Sequence, residues 1–265
     1  MKHYDPNDRI VIGMHANGLG DALLYSTLTK LFKLHGNKQV YYTMNSQTMR
    51  NEEVAELIYS FDPYLDGFVD EEPNAGLPTH TQFLQNARFA ESPIALVELL
   101  HGFRWPYYER RHVPMLHRTP KFKKEFKEFI VVDPFSNSQS FPAEVFDPFF
   151  RHLCFDPKRT IVLESAHDGN SGHASLQGIA RYRVNSLLEK IDIIHSAHAF
   201  VGTESGSQSI AAAVRFDRKY VLCTQLSYNS RFFIFPGTHY TVTGALQPDY
   251  FPNGQALGPL RDDLR

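Results

Sequence analysis

The chain has 265 residues, 42% of them apolar and 21% charged, with a formal net charge of −2. That length suits one large core or two of roughly 130 residues each, and the composition is that of a soluble globular protein. No apolar run approaches the ~20 residues of a membrane helix. The first residues carry no apolar leader, and two cysteines, Cys154 and Cys223, exclude a disulfide framework, so the expected compartment is the cytoplasm.

Residues 9–15 read as a first strand, buried on both faces. Residues 21–35 place Leu23, Leu24, Thr27, Leu28, Leu31, Phe32 and His35 at helical spacing, and Gly36 is suited to end that helix. Residues 39–44 form a second strand, 51–61 a second helix with Val54, Leu57, Ile58 and Phe61 on one face, and 67–69 a short third strand. This β-α-β-α-β run is the signature of a parallel sheet. Residues 81–100 read as largely helical with a break near Pro93. Residues 103–120, with Pro106, Pro114 and Pro120, read as irregular and mark a domain boundary. Residues 121–127 are amphipathic.

The pattern then restarts. Strands are expected at 129–133, 160–164, 199–203 and 219–224. Helices are expected at 141–153, with Pro142 in the first turn, at 183–195 and at 207–214. The Pro- and Gly-rich tail from Gly237 is expected to wrap the surface. The fold class is therefore α/β, with two Rossmann-like parallel-sheet domains: residues 1–120 facing an acceptor, residues 121–265 binding a nucleotide, across a shared cleft. Between His101 and Lys127 eight Lys or Arg face two Glu, leaving the remainder of the chain at −8. That stretch reads as an anion-facing surface or as a solvated linker.

Two glycine loops carry the chemistry. The first, Asn17-Gly18-Leu19-Gly20-Asp21, lacks the Gly-Lys-Ser/Thr of a Walker loop. Leu23 stands where the dinucleotide fingerprint needs its third glycine. Asp21 occupies the helix N-terminus where an anion would otherwise dock. Its carboxylate is suited to take a proton from a hydroxyl; an ordinary helix cap is the alternative. The second loop, Gly202 to Ser207, has the opposite character. Thr203, Ser205, Ser207 and Ser209 supply hydroxyls, Gly206 permits close approach, and the following helix supplies free N–H groups, a combination suited to a diphosphate. Glu204 could accept hydrogen bonds from sugar hydroxyls. A third loop, Ser136-Asn137-Ser138-Gln139, follows the first strand of the second half, on the ligand side of a parallel sheet. His195 and His198 have metal-ligand spacing but lack a clear third ligand, so no metal is expected there.

These elements resemble the heptosyltransferases, glycosyltransferase family 9, of GT-B fold. The resemblance rests on Gly18-Leu19-Gly20-Asp21-Ala22-Leu23-Leu24, on Val131-Val132-Asp133-Pro134 followed by Ser136-Asn137-Ser138 and Phe141-Pro142, and on Glu204-Ser205-Gly206-Ser207-Gln208-Ser209-Ile210-Ala211-Ala212-Ala213. It covers about half the chain. It implies that Asp21 deprotonates the acceptor and that Ser136–Gln139 and Thr203–Ser207 hold the donor. Three positions depart from the family pattern. Glu204 replaces an Asp, Ser209 a His, and Gln139 a Lys that helps neutralise the diphosphate; Arg181, Arg183 and Arg231 are candidate substitutes.

The reaction so implied is inverting transfer of a sugar from a nucleoside-diphosphate sugar, with no further cofactor. The sequence has no Asp-x-Asp motif, which fits a metal-free reaction. Arg104 and Trp105, among Phe103, Tyr107, Tyr108, Arg110 and Arg111, suit an anionic acceptor. That acceptor is either the saccharide of a cell-surface glycolipid or a hydroxymethylated base in DNA, flipped out of the duplex. An inactive sugar-nucleotide-binding module is the alternative from another class. A nicotinamide enzyme is disfavoured by the incomplete fingerprint.

Overall fold

A computed structural model describes residues 9–13, 18–35, 39–44, 52–76, 97, 113–135, 141–164, 173–215, 217–225, 228 and 234–243. The expected helix at 81–100 falls outside these residues except for Val97. The chain divides into two units, Met1–Thr119 with Ser230–Pro236, and Pro120–Asn229 with Gly237–Arg265.

In the first unit, β1 (Arg9–Gly13) buries Ile10, Val11 and Ile12. Such a continuous apolar run is what a strand covered on both faces needs. It pairs in parallel with β2 (Gln39–Thr43) on one side and β4 (Ala75–Gly76) on the other, and β3 (Gly67–Val69) lies beyond β2. β4 is only two residues long, and the Asn74 side chain extends its ladder. It accepts from the Val11 N–H at 2.8 Å and donates to the Arg9 carbonyl at 2.9 Å. The helix expected over 21–35 is two helices, α1 (Leu19–Tyr25) and α2 (Leu28–His35). Ser26 divides them: its hydroxyl donates to the Leu23 carbonyl at 2.8 Å and accepts from the Met115 N–H at 2.7 Å. A serine bonded to its own turn competes with the helical ladder. α3 (Glu52–Tyr59) buries Val54, Leu57, Ile58 and Tyr59, and the Tyr59 ring meets that of Tyr42 at 4.4 Å.

The second unit is a six-stranded parallel sheet. Its strands are β5 (Ile130–Asp133), β6 (Thr160–Glu164), β7 (Ala180–Arg183), β8 (Ala199–Thr203), β9 (Lys219–Thr224) and β10 (Thr238–Thr243). Their spatial order is β10-β9-β8-β5-β6-β7. Its helices are α4 (Ala143–His152), α5 (Leu187–Ser196) and α6 (Gly206–Val214). Phe146, Phe149 and Phe150 of α4 pack with Ile130, Val132, Val162, Val201, Tyr220 and Leu222 of the sheet. Burial of such side chains, at roughly 1.5–3 kcal/mol each, supplies the main drive to fold. Among the described residues no helix is long and apolar enough to cross a membrane.

Three features differ from the sequence expectation. Residues 238–243 are a sheet strand, paired with β9 over its whole length, rather than a surface wrap. Residues 180–183 are strand, so the expected helix begins later, at Leu187, because Ser186 caps it. The Ser186 hydroxyl accepts from the Glu189 N–H at 3.1 Å, and Glu189 accepts in return from the Asn185 N–H at 2.8 Å, a capping-box arrangement. Pro142 is the N-cap of α4 rather than a residue of its first turn.

At the amino ends of β8 and β9 the sheet holds two cations, Arg215 half-buried and Lys219 buried. The Arg215 guanidinium donates to the carbonyls of Ile194, Ala197 and His198, and Lys219, 2% exposed, donates to the Arg215 carbonyl at 2.9 Å. These acceptors lie at or just beyond the carboxyl ends of α5 and α6, where the helix dipole favours positive charge. Burial, reinforced by the Arg215 charge, nevertheless pushes the Lys219 amine down to about 8. An unfolded lysine titrates near ~10.4. Between these two values the unfolded chain holds more protons, so this group adds stability as pH rises through the window. Cys223, whose thiol burial pushes up, acts in the opposite sense above its unfolded value of about 8.5. The Lys219 contribution is therefore read as a difference. Urea unfolding of the wild type and Lys219→Met between pH 7 and 10.5 should show the wild type gaining on the variant as pH rises. The slope should not exceed about 1.4 kcal/mol per pH unit. A pH-independent difference would refute the assignment.

Candidate functional site

Counted from β5, the second sheet runs outward through β6 and β7 on one side and through β8, β9 and β10 on the other. The order is that of a doubly wound sheet, which opens a crevice at the carboxyl ends of the two strands where the winding reverses, the usual ligand position. Those strands are β5 and β8, and Asp133 is in register with Gly202. The approach is tight: a Cβ on Gly202 would stand 2.7 Å from the Phe200 ring and 3.0 Å from the Asp133 carbonyl. Glycine is required there by contact.

The loop leaving β8 carries hydroxyls without partners. Thr203 is fully buried, and its Oγ1 has no hydrogen-bond partner; neither has the buried Oγ of Ser205 or of Ser209. Ser205 is the N-cap of α6, with extended backbone, yet its side chain makes no cap hydrogen bond. No acidic residue occupies the first turn of α6, so its N–H groups and dipole are available to an anion. Buried polar atoms normally find partners, and an orphan costs about 1–3 kcal/mol. Three such atoms fall within residues 203–209, between the end of β8 and the second turn of α6. Ser207 and Gly206 lie in that first turn. Glu204 points elsewhere with at least one oxygen: its Oε2 accepts from the Thr224 N–H at 3.0 Å, with the Thr224 hydroxyl at 3.5 Å, tying the loop to the end of β9.

In the first unit Gly18 is the N-cap of α1, and Leu19, Gly20 and Asp21 form the first turn. Asp21 is thus the third helical residue rather than the cap. Its half-buried carboxylate folds back over Gly18, where a Cβ would stand 2.9 Å from Oδ2. The Tyr25 hydroxyl one turn on is pushed upward by burial first and by the Asp21 charge second.

Of the other predicted site residues, Asn17, Arg104, Trp105, Ser136, Asn137, Ser138 and Gln139 lie outside the described residues, as does Arg231. Arg181 pairs with Glu164 across β6 and β7, away from the winding reversal, and Arg183 ends β7. His195 Nδ1 lies 3.3 Å from the Val214 carbonyl, and the His198 ring lies against Arg218. Among the described residues no three His, Cys, Asp or Glu side chains gather to hold a metal. One pair at the crevice escaped the sequence reading. Asp133, 1% exposed and last in β5, has its Oδ2 at 2.5 Å from Lys190 Nζ in the first turns of α5. The Ser186-x-x-Glu189 capping box is the sequence signal that puts Lys190 at that end of the sheet.

No known family's sequence profile matches the chain, and no curated protein matches it in sequence. Solved structures do. A glycosyltransferase family 9 protein from Veillonella parvula DSM 2008 superposes with a TM-score of 0.54 at 10% identity, over 90% of this chain and 86% of that one. TibC, an iron-containing dodecameric glycosyltransferase of enterotoxigenic E. coli H10407, superposes with a TM-score of 0.56 at 16% identity.

The chain has a glycosyltransferase family 9-like fold.

The match to TibC covers 82% of this chain and 58% of TibC, so the chain spans less than two thirds of that neighbour. A further structure of TibC, a heptosyltransferase in complex with ADP-D-β-D-heptose, superposes with a TM-score of 0.50 at 15% identity, again over 58% of its length. In this family 9-like fold the unpartnered hydroxyls carry a stability prediction. Replacing an unsatisfied buried hydroxyl by a methyl of the same shape removes a desolvation cost. Thr203→Val should therefore leave the ligand-free protein as stable as the wild type or up to about 1 kcal/mol more so, measured by urea unfolding. Loss of more than that amount would mean that Thr203 has a structural partner.

Proposed function

We propose that the protein is a glycosyltransferase that uses a nucleoside-diphosphate sugar. The observation that carries this reading is the set of buried, unpartnered hydroxyls of Thr203, Ser205 and Ser209 at the start of α6, beside the winding reversal of the sheet. On this reading the donor diphosphate seats on the Thr203–Ser207 loop, and residues 136–139 contribute from the end of β5. The acceptor hydroxyl gives its proton to Asp21. Its oxygen bonds to the anomeric carbon as the bond from that carbon to the diphosphate oxygen breaks, and the nucleoside diphosphate leaves with the electron pair. One displacement inverts the carbon. The charge that develops on the leaving group is met by the α6 N–H groups and the loop hydroxyls, preorganised donors of the kind that contribute most to such catalysis. No cofactor enters these steps. The acceptor is anionic, a glycolipid saccharide or a hydroxymethylated base in DNA, and the reading places the reaction in the cytoplasm.

Gln139 and Ser209, which depart from the family pattern, favour a second reading: a module that binds sugar nucleotides and transfers nothing. One experiment separates the two. The protein is incubated with ADP-, UDP-, GDP- and CDP-sugars, beginning with ADP-heptose because TibC binds it, and released nucleoside diphosphate is measured. Slow release without acceptor is expected from an enzyme; binding with no release from any sugar, with or without acceptor extracts, supports the module. Once an acceptor is known, Asp21→Asn should lower transfer by about 10²–10⁴-fold while leaving donor affinity within a few-fold. Full activity in that variant would remove Asp21 from the mechanism. Salt-dependent binding to duplex DNA would select the DNA acceptor, and its absence at low salt would eliminate it.

A further inference from the structure

The Asp133–Lys190 pair has no evident structural reason to be ionic. Asp133 is almost fully buried and the Lys190 side chain is 18% exposed. Burying two charges costs several kcal/mol per ion before their attraction is counted, and apolar replacements of such pairs are often neutral or stabilising. The pair also lies away from the cationic cluster at the amino ends of the strands. It sits at the carboxyl end of β5, on the residue in register with Gly202 of β8.

We propose that Lys190 is the charged donor that hydrogen-bonds the donor diphosphate, held in place by Asp133. The inference rests on the donor reading above and extends it. A diphosphate presents more acceptor oxygens than the hydroxyls and one helix start serve, and Gln139 supplies no charged donor. Arg181 is committed to Glu164. Lys190 lies in the first turns of α5, whose N-terminus is closed by its own Ser186 and Glu189, so the ammonium is what this helix offers the crevice. Asp133 is oriented on both sides. Its Oδ1 accepts from the Phe135 N–H at 3.3 Å, and its Oδ2 makes a charge contact with Lys190 that lacks hydrogen-bond alignment. An ammonium has three donors. One carboxylate oxygen fixes its position without exhausting them, leaving donors for a phosphate oxygen. Because the pair is neutral overall, it acts at hydrogen-bond range and not as a long-range field.

The test measures affinity for ADP, UDP, GDP and CDP by calorimetry in the wild type, Thr203→Val, Lys190→Gln, Asp133→Asn and the double variant Asp133→Asn/Lys190→Gln. The double variant removes both charges, so it should fold as well as the wild type even if Lys190→Gln, with a buried unpaired carboxylate, does not. For the diphosphate that binds the wild type best, the double variant should bind at least about tenfold more weakly, the loss of a charged hydrogen bond. Asp133→Asn alone should bind as well as the wild type or better, since the ammonium keeps its charge and loses its competitor. Wild-type affinity in a folded double variant, with Thr203→Val impaired, would overturn the role of Lys190 and leave the donor site standing. Failure of all four diphosphates to bind the wild type would overturn both.

Discussion

The pairing of β5 with β8 is the constraint on which the second unit turns. The chain lays β6 and β7 on one flank of β5 and must return across it to place β8 on the other. Right-handed crossovers then put the connecting helices on opposite faces, and ligands of such sheets bind at the strand ends between them. Gly202 allows the two backbones to approach without a side chain in the way. Everything proposed for the donor hangs from this seam: Asp133 ends one of its strands, Thr203 ends the other, and α6 begins three residues later.

The two ends of this sheet handle charge differently. At the amino ends half-buried Arg215 and buried Lys219 donate hydrogen bonds to backbone carbonyls. At the carboxyl ends the hydroxyls of Thr203 and Ser205 have no hydrogen-bond partner. Burial alone therefore does not mark a site. The mark is burial with an unfilled bonding capacity, the local inconsistency that folded proteins tolerate where a partner is to arrive.

Much of the fold was legible because it follows from local pattern. β5, β6, β8 and β9 are short apolar runs bounded by turn residues, and α6 follows a glycine-serine loop with small residues that let it lie close to the sheet. What escaped depends on partners distant in sequence. Ser26 breaks the first helix partly because Met115, 89 positions away, docks on its hydroxyl. The Lys190–Asp133 pair joins residues 57 positions apart and leaves no periodic trace. β10 was legible in principle, since Thr238-His239-Tyr240-Thr241-Val242-Thr243 is rich in β-branched and aromatic residues; the Pro and Gly that follow obscured it. In the candidate site the sequence singled out the loop 203–207 by its composition, but the lack of partners for its hydroxyls is a fact of three-dimensional packing alone.

The late segment that precedes β10 has a consequence for biogenesis. Residues 230–236 group with the first unit although they follow almost all of the second, and Phe235 is buried to 2% exposure. A chain emerging from the ribosome presents residues 1–119 long before that segment exists. The first unit then lacks its last segment while the second is being made. The first unit is therefore finished only after residues 120–229 of the second have been made.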